Sequence, residues 1–106
     1  MDLVSGLVDR TGLYLLAVLA VAGGIRNYEQ FRVEIAKVFG VDPPHRQPIK
    51  DRLAYMIAGG LVEKSDRMWR ITDRGFDVLR VLIEKLAGDD IEKIRKKLAR
   101  ALYGRS

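Results

Sequence analysis

"GGLVEKSDRMWRITDRG", residues 59–75, decides how this chain is read. Before and after it apolar residues recur at helical spacing, but here the period drops to about two. Residues 61–64 and 68–71 are short strand candidates, with Trp69 and Ile71 on one face and Ser65, Asp66 and Arg67 as the turn. Gly60 can take the positive φ that stops a helix and reverses the chain. Thr72 suits an N-cap, and Asp73 follows in the first turn, where negative charge favours the helix dipole. A hairpin this small does not fold alone. Leu61, Trp69 and Ile71 are therefore expected to bury against helices one and three, leaving a polar tip to project.

Upstream, residues 13–22 are apolar nearly all round, which suits a central helix, and Gly23-Gly24 ends it. Residues 28–39 place Tyr28, Phe31, Ile35, Val38 and Phe39 at helical spacing behind an Asn27 N-cap, with Gly40 as the stop. Ile49, Leu53, Met56 and Ile57 make the inward stripe of a third helix. Pro48 favours a first helical turn and pushes Gln47 out of the α region, so the spacing predicts a helix over 48–59. Downstream, Phe76, Leu79, Leu82, Ile83 and Leu86 give a fourth helix. Gly88 breaks it, and Asp89-Asp90 cap a fifth whose stripe is Ile91, Ile94, Leu98, Ala101 and Leu102.

The 106 residues are enough for one domain with one core. There is no cysteine, so disulfide and thiol chemistry are excluded, and a cytoplasmic setting is expected. Charged residues reach 31% while Asn and Gln number three, a mix common in heat-adapted proteins. The run "LYLLAVLAVAGGI" is too short to span a bilayer, which needs roughly 20 apolar residues. Asp2 and Asp9 precede it, where a signal sequence would be basic. Net charge is +5 and unevenly spread: residues 1–44 carry four Lys/Arg against five Asp/Glu, but residues 45–74 carry seven against four and residues 89–106 six against three. Such a basic middle and tail favour a polyanionic partner.

Three helices followed by a two-stranded hairpin is the winged helix-turn-helix order. Residues 59–75 resemble the segment after the recognition helix in MarR-, ArsR- and PadR-type regulators. The likeness rests on Gly60-Leu61-Val62-Glu63-Lys64, basic Arg67, aromatic Trp69, and Ile71-Thr72 with Gly75 three residues on. It extends over about residues 13–86 and is strongest over 49–75. It implies a mainly α fold, with a winged-helix domain at 1–88 and a C-terminal amphipathic helix at 89–106 that dimerises or packs on the same domain. It also implies a double-stranded DNA partner and a role in transcription regulation. In such a fold the third helix enters the major groove. The expected DNA contacts are Arg46 and Gln47 at the helix start, Lys50 and then Arg52 along it, and Arg67 at the wing tip. A winged helix that binds protein in a transcription or remodelling assembly is the alternative. The link "GVDPPHR" is longer than the usual turn of about 3–4 residues, and the wing tip lacks glycine.

Catalysis finds little support. Three serines, one histidine and no cysteine do not readily assemble a nucleophile with its base and orienter. His45 alone makes a transition-metal site unexpected, and the glycine pairs lack phosphate-loop spacing. A non-enzyme without cofactor or metal is expected. The fifth helix reads two ways. Its stripe follows a 3-4-3 spacing that could pair with a second copy, giving a homodimer through the C-terminal helix; or it folds back on helices one and four. Its cations are expected to solvate the outer face, aided by Asp89–Lys93 and Glu92–Lys96 pairs. The aromatic anchors of a membrane-surface helix are missing.

Overall fold

A computed structural model describes residues 10–86 and 88–103, apart from the side chains of residues 90 and 101–103. The described part is mainly helical: α1 (Arg10–Ala22), α2 (Tyr28–Phe39), α3 (Arg46–Ala58), β1 (Val62–Ser65), β2 (Met68–Ile71), α4 (Asp73–Lys85) and α5 (Asp89–Tyr103). Apolar residues on nearly every side of α1 give it neighbours on every side. It packs against each of the other four helices and against β2, and Leu13, Leu15, Leu16, Val18 and Leu19 are fully buried. No helix among the described residues is long and apolar enough to cross a membrane.

The punctuation read from sequence holds at most helix ends. Asn27 caps α2, its side chain accepting from the Gln30 amide at 2.7 Å, while Gln30 Oε1 accepts in turn from the Arg26 amide. Gly40 closes α2 at φ +66. Thr72 caps α4 and does more. Its hydroxyl donates to the Gly60 carbonyl at 2.6 Å while accepting from the Gly75 amide at 3.1 Å, which ties the end of α3 to the start of α4.

Helix α3 begins two residues earlier than expected, at Arg46. Pro48 is thus the third helical residue instead of the first. Its missing N–H costs nothing there, because the first four donors of a helix have no internal acceptor. The first ladder bond runs from the Ile49 amide to the His45 carbonyl. The far end differs too: Ile49, Leu53 and Met56 are buried, but Ile57 is 41% exposed. The Leu61 amide bonds the Met56 carbonyl at 2.8 Å and the Gly60 amide bonds the Ile57 carbonyl at 3.1 Å, with Gly60 at φ +76. This Schellman ending folds Leu61 inward, and Leu61 takes the inward place expected of Ile57.

For the same reason Leu61 is not in the sheet, and β1 starts one residue later than expected. The antiparallel register pairs Val62 with Ile71 and Ser65 with Met68, so the turn has two residues, Asp66 and Arg67, and not three. Both have positive φ, +53 and +60. That is the signature of a type I′ turn, which matches strand twist but ordinarily recruits Asn-Gly. Two further contacts anchor the ribbon. Trp69 forms an antiparallel bridge with Ile25, in the link between α1 and α2, through bonds of 2.8 and 3.0 Å. Its ring packs against Tyr28 and Phe31 of α2 at centroid distances of 5.2 and 5.6 Å, as well as the hairpin meeting α1 and α3. Gly24 and Gly75 allow the close approach. A Cβ at Gly24 would meet the Met68 side chain, and one at Gly75 would collide with the Leu61 carbonyl and lie 2.6 Å from Ile71 Cγ1.

The stripe of α5 is spent within its own chain. Ile91, Ile94 and Leu98 are at most 3% exposed, and α5 lies on α1, α2 and, more lightly, α4. Ala101 and Leu102, the rest of that stripe, lie outside the described side chains. The expected Asp89–Lys93 and Glu92–Lys96 pairs do not form. Lys93 Nζ instead donates to the Phe39 carbonyl at 3.2 Å, Arg95 donates to the Ile83 carbonyl at 2.8 Å, and Arg95 meets Glu92 at 3.4 Å. A cation at a helix C-terminus satisfies open carbonyls and favours the dipole. Two side chains of α5 thereby cap the last turns of α2 and α4.

Candidate nucleic-acid interface

Helical geometry sorts the surface of α3. With Ile49, Leu53 and Met56 inward, the centre of the outward face is Gln47, Asp51, Ala54 and Ala58, at i, i+4, i+7 and i+11. All four are exposed. Lys50 flanks this stripe on one side and Tyr55, 58% exposed, on the other. Arg52 is half-buried near the inward boundary, so of the five expected contacts it is the least available. Arg46, Gln47, Lys50 and Arg67 are all exposed with α5 in place.

The start of α3 is left open. His45 provides no side-chain cap, and Pro48 has no amide proton, so the Arg46 and Gln47 amides point out of the helix end with the positive dipole behind them. That end faces the start of α2 across a cleft of about 540 Å³ lined by Asn27, Tyr28, Glu29 and Arg32 on one side and His45, Arg46 and Gln47 on the other. Within it the Arg46 guanidinium lies over the Tyr28 ring, 5.1 Å from the centroid. Arg32 of α2 donates to the Pro44 carbonyl at 3.1 Å and meets Glu29 at 3.4 Å. Arg32 therefore fixes the proline-containing link that sets where α3 begins. No sequence signal pointed to it, because a surface arginine twelve residues away looks the same whether it is bonded or solvated.

Gln47 is less free than the sequence suggested. Its amide nitrogen donates to Asp51 Oδ1 at 2.9 Å, one helical turn away. On the hairpin, Val62, Lys64, Trp69 and Ile71 share one face, and Glu63, Ser65, Met68 and Arg70 the other. Lys64 Nζ sits 4.3 Å from the Trp69 ring centroid, a cation–π contact that holds a positive charge near the tip. Lys64 and the exposed Arg70 were not among the expected contacts, although alternation in residues 61–64 and 68–71 could have assigned their faces.

Among the described residues no group of three His, Cys, Asp or Glu is arranged to hold a metal ion. No protein-family model, curated protein or solved structure matches this chain. The reading of residues 59–75 therefore rests on those residues alone.

Proposed function

We propose that this chain is a winged-helix protein that binds double-stranded DNA and regulates transcription by occupying its site. In this reading α3 enters the major groove and the β1–β2 hairpin is the wing. The observation that carries it is the open end of α3, where uncapped amides, the dipole, Arg46 and Lys50 converge on one exposed surface. Charge distribution supports it, since residues 45–74 hold a net excess of three positive charges. The strand-like Ile25 beside β2 supports the wing assignment, as it adds a third backbone segment to the ribbon. Arg46 and the amides of α3 position the phosphates, Lys50 reaches a base edge or phosphate, and Arg67 contacts the groove beside the hairpin.

A second reading has its own observation. Tyr55 and Ile57 expose 58% and 41% of their surfaces on α3, which favours protein docking through the same helix. Pairing through α5 is not part of either proposal, because Ile91, Ile94 and Leu98 already fill this chain's core.

Fluorescence anisotropy on labelled random duplex across a salt series separates the two. Each phosphate neutralised contributes a log–log slope of about −0.9, so Arg46, Lys50 and Arg67 together predict roughly −3. Arg46→Ala with Lys50→Ala should flatten that slope by about 2 while leaving the melting curve in place. Absence of binding at about 50 mM salt would reject the DNA reading in favour of the interaction module.

A further inference from the structure

The middle of the outward face of α3 is not built to attract phosphate. Asp51 stands there with a full negative charge, exposed, and among the described residues no cation pairs with it. It is also held: Gln47 Nε2 donates to Oδ1 at 2.9 Å, and the second oxygen of this exposed carboxylate is available to accept. One and two turns further on, Ala54 and Ala58 carry nothing beyond Cβ, so this stripe can come close to whatever it faces. An acid in that position weakens binding to any polyanion unless it receives a hydrogen bond.

The base edges of the major groove differ in what they offer a carboxylate. Guanine presents two acceptors, thymine an acceptor and a methyl, and adenine an acceptor beside its amino group. Cytosine alone presents only an amino donor. We propose that Asp51, held by Gln47, is the specificity-determining residue of the α3 face, accepting from a cytosine amino group and disfavouring the other bases at that position. The inference rests on the DNA-binding reading above. Arg46 and Lys50 on the flank supply the attraction that offsets the acid's charge, and the acid converts general affinity into selectivity.

Asp51→Asn tests this directly, because an asparagine oxygen can keep the Gln47 bond while the charge is lost. Selection from a random duplex library is run with the native chain and with Asp51→Asn, beside melting curves of both. The native chain should enrich cytosine at one position. Asp51→Asn should bind unselected duplex more tightly and lose about tenfold of the preference at that position, since one good base contact discriminates by that order. Gln47→Ala, which releases the carboxylate, should weaken the same preference without the gain in general affinity. Identical base preferences in native and Asp51→Asn overturn the proposal, as does tight, salt-dependent native binding with no base preference. In both cases DNA binding itself survives. No binding of any duplex at low salt instead removes the DNA-binding reading, and this inference with it.

Discussion

Arg67 occupies φ +60 at the second central position of the β1–β2 turn, a conformation that costs a residue with a Cβ roughly 1–2 kcal/mol. Arg67→Gly removes that cost but adds back about 0.5–1 kcal/mol, because glycine has more freedom to lose on folding. The difference is a gain of about 0.5–1 kcal/mol; Asp66, at φ +53, is unchanged and belongs to a type more tolerant of that region. For a chain of this size the midpoint of thermal unfolding should rise by roughly 3–5 °C. The same change deletes the cation at the hairpin tip. Duplex affinity should fall, and the salt slope should become shallower by about 0.9 if a phosphate contact is lost. Differential scanning calorimetry and anisotropy on one preparation read both quantities. Opposite movement is the expected outcome. Unchanged or lowered stability would refute the turn assignment, and unchanged affinity would show that the tip does not touch DNA.

Gly75→Ala should cost about 2 kcal/mol and lower the melting midpoint by roughly 10 °C, because the new Cβ meets the Leu61 backbone, which cannot rotate away. Thr72→Ala loses both bonds of the α3–α4 tie and should cost about 1–2 kcal/mol in a denaturant titration, whereas Thr72→Ser should recover most of it. Lys93→Met and Arg95→Met should each cost about 0.5–1 kcal/mol by the same titration, with DNA affinity little altered, since both cations are engaged at helix ends. If either substitution instead lowers affinity severalfold at unchanged stability, the α5 cations belong to the binding surface.

Local chemistry made much of this architecture legible. Asn27, Gly40, Gly60 and Thr72 each make a bond to a residue three or four places away, and the sequence displays those neighbours directly, although the second bond of Thr72, to Gly60, spans twelve. Burial of Trp69, Phe31 and Leu79 followed from periodicity for the same reason. The misread boundaries lie where two local rules compete. Pro48 reads as a helix starter, yet any first-turn position tolerates it, and the donors left open at Arg46 and Gln47 decide nothing in isolation. Ile57 and Leu61 competed for one inward place, and the Schellman turn awarded it to Leu61. Contacts across long separations were invisible: Arg32 with Pro44, Lys93 with Phe39, and Ile25 with Trp69. At the candidate site, sequence supplied Arg46, Lys50 and Arg67 as exposed cations. It did not reveal that Gln47 is bonded to Asp51, or that Asp51 lies nearer the middle of the face than Lys50.

The backbone seam between Ile25 and Trp69 has a mechanical effect. It joins the corner after α1 to the ribbon, while the Thr72 tie joins the ribbon's exit to the end of α3. Held at both feet, the hairpin cannot swing as a loose finger, and its tip keeps one bearing relative to α3. A ligand spanning the two would meet a surface already set, and would surrender little flexibility of the protein's own on docking.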